Sequence, residues 1–188
     1  MTGNVILLGF GVAGAAGLPV LAPIISLLAF ALGSIVGGAL AARVGDRSVR
    51  HFGWALAGET GFIAVAAVVA GVGNVSGGGA VSDVVIALLA FAMGLRNATV
   101  RRIGIPDLTT TVLTMTLTAF ASDLSRTGWA PVDSLRRLSA VAAMFLGAVA
   151  GALLLKASPA WPLVGAAGLA LLTGLVYLPA ARGKPLPG

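Results

Sequence analysis

The sequence is poor in the residues from which soluble catalytic and metal sites are built. It contains no cysteine, which excludes disulfides, thiolate chemistry and cysteine-ligated metals. Its single histidine, His51, lies in a stretch that the sequence predicts to be a basic loop, which argues against a histidine-based metal site. Charged residues make up only 10% of the chain, whereas soluble domains carry about 25%. With 58% hydrophobic residues and a mean hydropathy of +1.03, the sequence predicts a membrane protein.

The apolar residues form blocks of membrane-spanning length. A helix needs about 20 residues to cross a hydrocarbon core about 30 Å thick. Lipid offers the backbone no water to bond to, so a spanning block must be helical. We therefore predict an all-α fold, a single polytopic transmembrane helical bundle over residues 1–188. The strong spans are Val20–Ala42, Trp54–Val72, Ser82–Thr99, Leu138–Leu155 and Trp161–Pro179, and the weaker segments are Thr2–Ala13 and Leu108–Ala121.

The two halves of the sequence resemble each other. LGSIVGGALAARV from Leu32 matches LGAVAGALLLKAS from Leu146, an offset of 114 residues. MTGNVILLGFG from Met1 lies over LTTTVLTMTLT from Leu108, an offset of 107. Chance similarity between apolar helices is the alternative, but two matches in the same order at nearly one offset favour a repeat. The repeats cover about residues 1–73 and 82–181, and such repeats are common in transporters.

The positions of lysine and arginine distinguish two topologies. If Leu108–Ala121 crosses the membrane, these side chains divide seven against five. If it is re-entrant or half-spanning, all but Lys156 lie on one side, eleven against one. Orientation in bacterial membranes follows this bias, so we favour the second topology. Each repeat then has three spans and one interrupted or re-entrant element, and the odd number of crossings makes the repeats inverted.

A chain break and a stripe of hydroxyl groups follow the third strong span. Pro106 has no backbone donor and disfavours helix in the residue before it, and Asp107 sits where a helix N-cap would. Threonine fills six of the ten positions from Thr109 to Thr118. A helix that starts at membrane depth is tolerated only where it is buried in protein or lines a cavity. The alternative is that Asp107 is only a cap and that the threonines bond within or between helices. The pathway candidates in this stretch are Asp107, Thr110, Thr111 and Thr114.

Glu59 is a further pathway candidate because it lies inside an apolar span. A carboxylate there costs a few kcal/mol unless it is paired, protonated or hydrated. In one interpretation it carries coupling protons. In the other it is a shallow partner of Arg43 or Arg50, and Arg96 offers it another partner. The remaining pathway candidates are the amide side chains Asn4 and Asn97.

The run MGLRNATVRRIGIPDLTTTVLTMTLTAFASD, together with MTGNVILLG at Met1, resembles the YoaK-like family of bacterial membrane proteins of unknown function. The resemblance covers essentially the whole chain and implies a membrane bundle, but it supplies no substrate. Members of that family usually carry a further helix before their MTGN, so it also implies that the first repeat lacks the counterpart of Ser82–Thr99. Thr2–Ala13 is too short to cross upright at about 1.5 Å per residue. We expect the stable protein to begin upstream of Met1, or to borrow from another subunit the cover that keeps Asn4 from facing lipid unsatisfied.

Two small-residue motifs predict close helix packing. They place glycines four residues apart in two spans, which the repeat relates to each other, so we expect these spans to cross closely. The helix-packing residues are Gly33, Gly37, Gly147 and Gly151. No P-loop, GxSxG, HExxH or paired-carboxylate motif is present. We therefore predict no enzyme and no cofactor.

The leading functional hypothesis is a small secondary transporter or channel-like permease for a small cation or a neutral solute. A non-transporting scaffold or sensor that acts through a partner is the alternative, favoured by the small size of the chain and its sparse intramembrane charge. An intramembrane enzyme acting on lipid rests on little beyond Asp107 and Glu59. The expected location is the bacterial inner membrane, with the lipid bilayer as partner and without nucleic acid. A homo-oligomer and a small solute or ion are left open as further partners.

The topology makes a prediction that reporter tags can check. Tags after Arg47, within Arg126–Arg137 and at the C-terminus should all report cytoplasm, and a tag near Gly78 should report the outside, because positive loops stay in the cytoplasm. A connector tag that reports the outside would show that Leu108–Ala121 crosses fully and that the repeats are parallel.

Overall fold

A computed structural model of the protein describes residues 1–15, 17–44, 49–73, 75, 79–103, 118 and 131–181. The described helices are α1 (Thr2–Val12), α2 (Leu21–Val44), α3 (Val49–Val72), α4 (Ala80–Ile103), α5 (Pro131–Leu155) and α6 (Ala160–Ala181). The predicted all-α fold is confirmed. Within the described residues, four stretches are long and apolar enough to cross a membrane, Leu21–Ala42, Gly53–Val72, Ala80–Arg101 and Leu138–Leu155, and two shorter apolar helices cover Thr2–Val12 and Ala160–Val176. The weak segment Leu108–Ala121 lies outside the described residues, apart from Thr118.

Two helices begin well before the apolar spans that predicted them. α3 starts at Val49 rather than Trp54, and α5 starts at Pro131 rather than Leu138. The extra turns carry arginines, which hydropathy does not count as span, although a helix readily continues into the head-group region. Proline suits the first helical position because it has no N–H to leave unpaired there.

α2 and α4 run parallel and approach so closely that glycine is required at the contact. A Cβ on Gly33 would collide with the backbone carbonyl oxygen of Phe91, and one on Gly94 would collide with that of Phe30. The Ser34 hydroxyl donates to the carbonyl oxygen of Gly94 at 3.3 Å. Small residues permit such backbone contact, and van der Waals packing then holds helices together in lipid.

The expectation that the two small-residue motifs, on α2 and α5, cross each other is wrong. The α2 motif packs on α4, and within the described residues α5 contacts α6 alone. A Cβ on Gly147 or Gly151 would meet no atom within 4 Å. The α2 motif finds a reciprocal glycine, Gly94, whereas among the described residues the α5 motif faces none.

α3 runs antiparallel to α4 and α6, which fixes the direction of every described span. A Cβ placed on Gly71 would lie 3.6 Å from the side chain of Ala160, and a Cβ placed on Gly174 would lie 3.1 Å from the side chain of Leu56. The ends of α2, α4 and α6 and the start of α3 therefore share one end of the bundle, here called the arginine end because Arg43, Arg50 and Arg101 belong to it. α5 joins α6 through the short turn at 156–159, and the two helices contact each other. The eleven-against-one topology depends on the segment after α4, which lies outside the described residues, and it stays a prediction.

The core lies between α3, α4 and α6 and is built largely from alanine. Ala66 and Ala92 have no exposed surface, and Ile63 and Ala167 pack with Ala92. The rings of Phe62 and Phe91 contact each other with centroids 4.8 Å apart. Small side chains bring the helix backbones together, and this closeness positions the polar residues described next.

A matched pair of substitutions on α2 tests the glycine contact. Gly33→Ala should lower the free energy of unfolding by about 1–3 kcal/mol, because a backbone carbonyl cannot move aside as a side chain can. Gly38→Ala meets no atom within 4 Å and should be neutral or stabilising by up to about 1 kcal/mol, because alanine forms helix better than glycine. Thermal unfolding in detergent measures both, and equal stability of the two variants would contradict the contact.

Candidate functional site

An ion pair joins α3 to α4 inside the bundle. Nη1 of Arg96 lies 3.1 Å from Oε1 of Glu59 and donates a hydrogen bond to it. The Glu59 side chain is 5% exposed, whereas the Arg96 side chain is 50% exposed. The carboxylate is therefore enclosed by protein and the guanidinium extends from it into open space.

The fold explains why these two residues meet. Glu59 lies near the middle of α3, and Arg96 lies two turns before the end of the antiparallel α4, so both are at similar depth from the arginine end. A Cβ on Gly58 would lie 3.4 Å from the Leu95 side chain, so α3 and α4 are in van der Waals contact beside the pair. Glu59 is thus deeper in its helix than the sequence predicted, because α3 begins before the apolar span. Of the partners that the sequence offered, the structure shows Arg96, and the side chains of Arg43 and Arg50 are not among those described.

The ion pair lines a cavity between α3, α4 and α6, here called the charged cavity. Its volume is about 480 Å³. One water molecule occupies about 30 Å³ of liquid, so the space holds a small organic solute or several waters. The polar lining residues are Glu59, Arg96, Thr99 and Thr173, and the walls between them are apolar, including Leu56 and Leu169.

The threonines of the charged cavity use their protons within their own helices. Thr99 Oγ1 donates to the carbonyl oxygen of Leu95 at 3.0 Å, and Thr173 Oγ1 donates to that of Leu169 at 2.8 Å. A hydroxyl that donates in this way keeps its lone pairs as acceptors. The cavity therefore combines a cationic donor, a carboxylate and hydroxyl acceptors on an apolar wall, an arrangement typical of binding sites for small polar molecules.

The other sequence-predicted pathway residues are not part of the charged cavity. Nδ2 of Asn4 donates to Ser26 Oγ at 2.6 Å, so α2 supplies a partner for this side chain. A start upstream of Met1, or cover from another subunit, stays a prediction. Asn97 is half-buried on α4 and is not among the described lining residues. Four predicted residues lie outside the described part of the chain, namely Asp107, Thr110, Thr111 and Thr114.

Among the lining residues that the sequence did not single out are two threonines and a methionine. Thr99 lies one turn after Arg96, and Thr173 interrupts an otherwise apolar run in α6. A polar residue within an apolar span is a usable signal for both. Met93 also lines the cavity, and a methionine among apolar residues carries no such signal.

Comparison with known proteins identifies the family of this chain. The profile of a family described as "Protein of unknown function (DUF1275)" matches residues 1–176. No curated protein matches the sequence, and no solved structure matches it. The match covers the charged cavity and all of the described helices except the last residues of α6.

Removal of Arg96 alone should cost more than removal of both members of the ion pair. Arg96→Met leaves the enclosed Glu59 carboxylate without its partner, for which we expect a loss of about 3–5 kcal/mol in the free energy of unfolding. Glu59→Ala leaves a guanidinium that is already half exposed, so it should cost less. The double variant leaves no charge and should recover a large part of the loss seen in Arg96→Met. Thermal unfolding of the three variants in detergent gives the coupling. Strictly additive losses would show that the pair is not formed in the membrane protein.

Proposed function

Because the chain belongs to the DUF1275 family, whose description assigns no function, we propose its activity from the site alone. The protein is a small secondary transporter or channel-like permease of the bacterial inner membrane, and it passes a small cation or a neutral solute. The observation that carries the proposal is the Glu59–Arg96 ion pair on the wall of the charged cavity.

The location of the pair supports a functional rather than a purely structural role. A buried ion pair is a weak source of stability, because the desolvation of two charges offsets most of their attraction. Residues that only held α3 against α4 would be apolar, as Ile63 and Ala92 are. Ionisable groups inside a membrane bundle typically mark substrate or ion pathways.

The chemistry of the pair is suited to reversible binding. A guanidinium carries five N–H donors, so Arg96 can donate to Glu59 and to a solute in the cavity at the same time. Protonation of Glu59 removes the negative charge that attracts Arg96 and turns the carboxyl group into a donor. A proton and a solute thereby bind to the same pair of side chains. Binding of one then changes the affinity for the other, which is the minimum needed to couple solute transport to proton transport.

One observation favours the alternative, a scaffold or sensor that acts through a partner. The apolar stretch Leu138–Leu155 of α5 is not buried anywhere by the described residues. A helix face with open glycines is one to which another membrane helix packs well. The charged cavity has no role in this alternative, so binding of a small solute distinguishes the two.

Solute-dependent stability tests the proposal. The purified protein is heated with ions, sugars and amino acids, one at a time; a bound solute at about 100 times its Kd stabilises the folded state by about 2.7 kcal/mol. We expect at least one solute to raise Tm in the wild type and not in Glu59→Gln, which keeps the shape but cannot carry the charge. The effect should vary with pH in the wild type only. Absence of any response across the panel, or an unchanged response and pH profile in Glu59→Gln, would contradict the proposal.

A further inference from the structure

A second cavity lies between α1, α2 and α4, here called the neutral cavity. Its volume is about 390 Å³, and its described lining includes the side chains of Asn4, Pro23, Ser26, Leu89 and Met93. The hydrogen bond from Asn4 to Ser26 lies on its wall. None of its described lining side chains is ionisable.

The two cavities follow each other along α4 and share one residue. Ile86, Leu89 and Ala90 line the neutral cavity, and Arg96, Thr99 and Val100 line the charged cavity. Met93 lines both. These positions recur every three or four residues, so they form one continuous stripe on the helix.

The cavities belong to opposite halves of the bundle. The neutral cavity is lined by Pro19, just before α2, and by Ala22 in its first turn, at the end of α2 farthest from the arginine end. The charged cavity is lined by Ala55 and Leu56, which follow the start of α3 at the arginine end, and by Thr173 in the second half of α6. Met93 lies near the middle of α4, where the two halves meet.

We propose that Met93 is the constriction of a path for a small uncharged polar solute, with one binding station at Asn4 and Ser26 and the other at Glu59 and Arg96. The inference rests on the proposed permease function and deepens it by naming the class of solute and the residue that divides its path. A methionine side chain is unbranched and has three rotatable bonds, so it fills a gap in one rotamer and vacates it in another. Met93 has room for this, since it is 36% exposed.

The polar groups along the path can bond to an uncharged solute. The neutral cavity offers an amide and a hydroxyl, which bond to hydroxyl or amide groups of a solute but do not offset the desolvation of an ion. The charged cavity holds one positive and one negative side chain, so its net charge is also zero. A solute that brings its own donors and acceptors, of the size of glycerol or urea, meets matching groups at both stations.

Thiol labelling tests the division without knowledge of the solute, because the chain contains no cysteine of its own. Ala22→Cys reports the neutral cavity and Thr173→Cys the charged cavity, and neither alters a bond between helices. A charged, membrane-impermeant thiol reagent is added to one side of sealed vesicles and then to the other. We expect each cysteine to react from one side only, and the two from opposite sides.

Substitution of Met93 should remove that sidedness. In a Met93→Ala background, each cysteine should also react from its formerly closed side, at a rate raised by at least about tenfold, equivalent to a barrier lowered by about 1.4 kcal/mol. Met144→Ala is the matched control, because Met144 is 41% exposed on α5 and lines neither cavity among the described residues. Cysteines that react from the same side, that react from neither side, or whose sidedness survives Met93→Ala would overturn the inference.

Flux of glycerol and urea into proteoliposomes tests the solute class. Met93→Ala should raise the flux and Met93→Trp should lower it at least about tenfold, whereas the same changes at Met144 leave it unaltered. Wild-type vesicles as tight to both solutes as protein-free vesicles would contradict transport of uncharged solutes, and the labelling pattern would still decide whether Met93 divides the cavities. If wild-type vesicles pass glycerol but the Met93 variants behave like the Met144 variants, the permease function stands and the assignment of Met93 falls.

Discussion

Close approach to α4 is the constraint on which the rest of the structure depends. On one side Gly94 and Gly33 allow α2 to reach backbone contact, and on the other a core of alanines brings α3 close. Lipid tails are as apolar as leucine, so helices in a bilayer gain from this contact chiefly through packing rather than through release of water. The same closeness carries a charged side chain of α3 to one of α4. The packing of small residues therefore makes the ion pair possible, and the proposed function depends on that ion pair.

The Glu59–Arg96 pair would add little to the stability of the bundle, because the desolvation of its charges offsets most of their attraction. Its carboxylate is enclosed while its guanidinium remains half exposed toward a cavity, so the two charges are desolvated unequally. A pair whose only task was structural gains most when both partners are fully satisfied by protein. An arginine left half open keeps donors directed at space that a solute can enter, and this asymmetry favours a binding role.

The positions of the helices along the chain were easier to predict from the sequence than the way in which they pack against one another. Hydropathy located five of the described helices because a span must be apolar throughout, and it placed α1 by its shorter apolar run. It misplaced the starts of α3 and α5 because arginines continue a helix without continuing a span. Glu59 was recognisable from its type and depth alone, but the choice of Arg96 over other arginines depends on how α3 and α4 are rotated about their axes. That rotation is set by contacts such as Phe62 with Phe91, between residues that carry no recognisable pairing pattern in the sequence.

The two small-residue motifs show why a local pattern is insufficient. The matched sequences around Gly33 and Gly147 have the same spacing, yet the first is pressed against a neighbouring backbone and the second meets nothing within 4 Å. The difference lies in the partner: Gly94 stands between Ala90 and Ala98 in a row of small residues spaced by four, and its missing side chain is half of the contact. Close packing is a property of two surfaces, and a sequence motif describes only one of them. The stripe on α4 follows the same logic, because Met93 acquires its position between two cavities from α1, α2, α3 and α6 together, and no feature of its own helix distinguishes it.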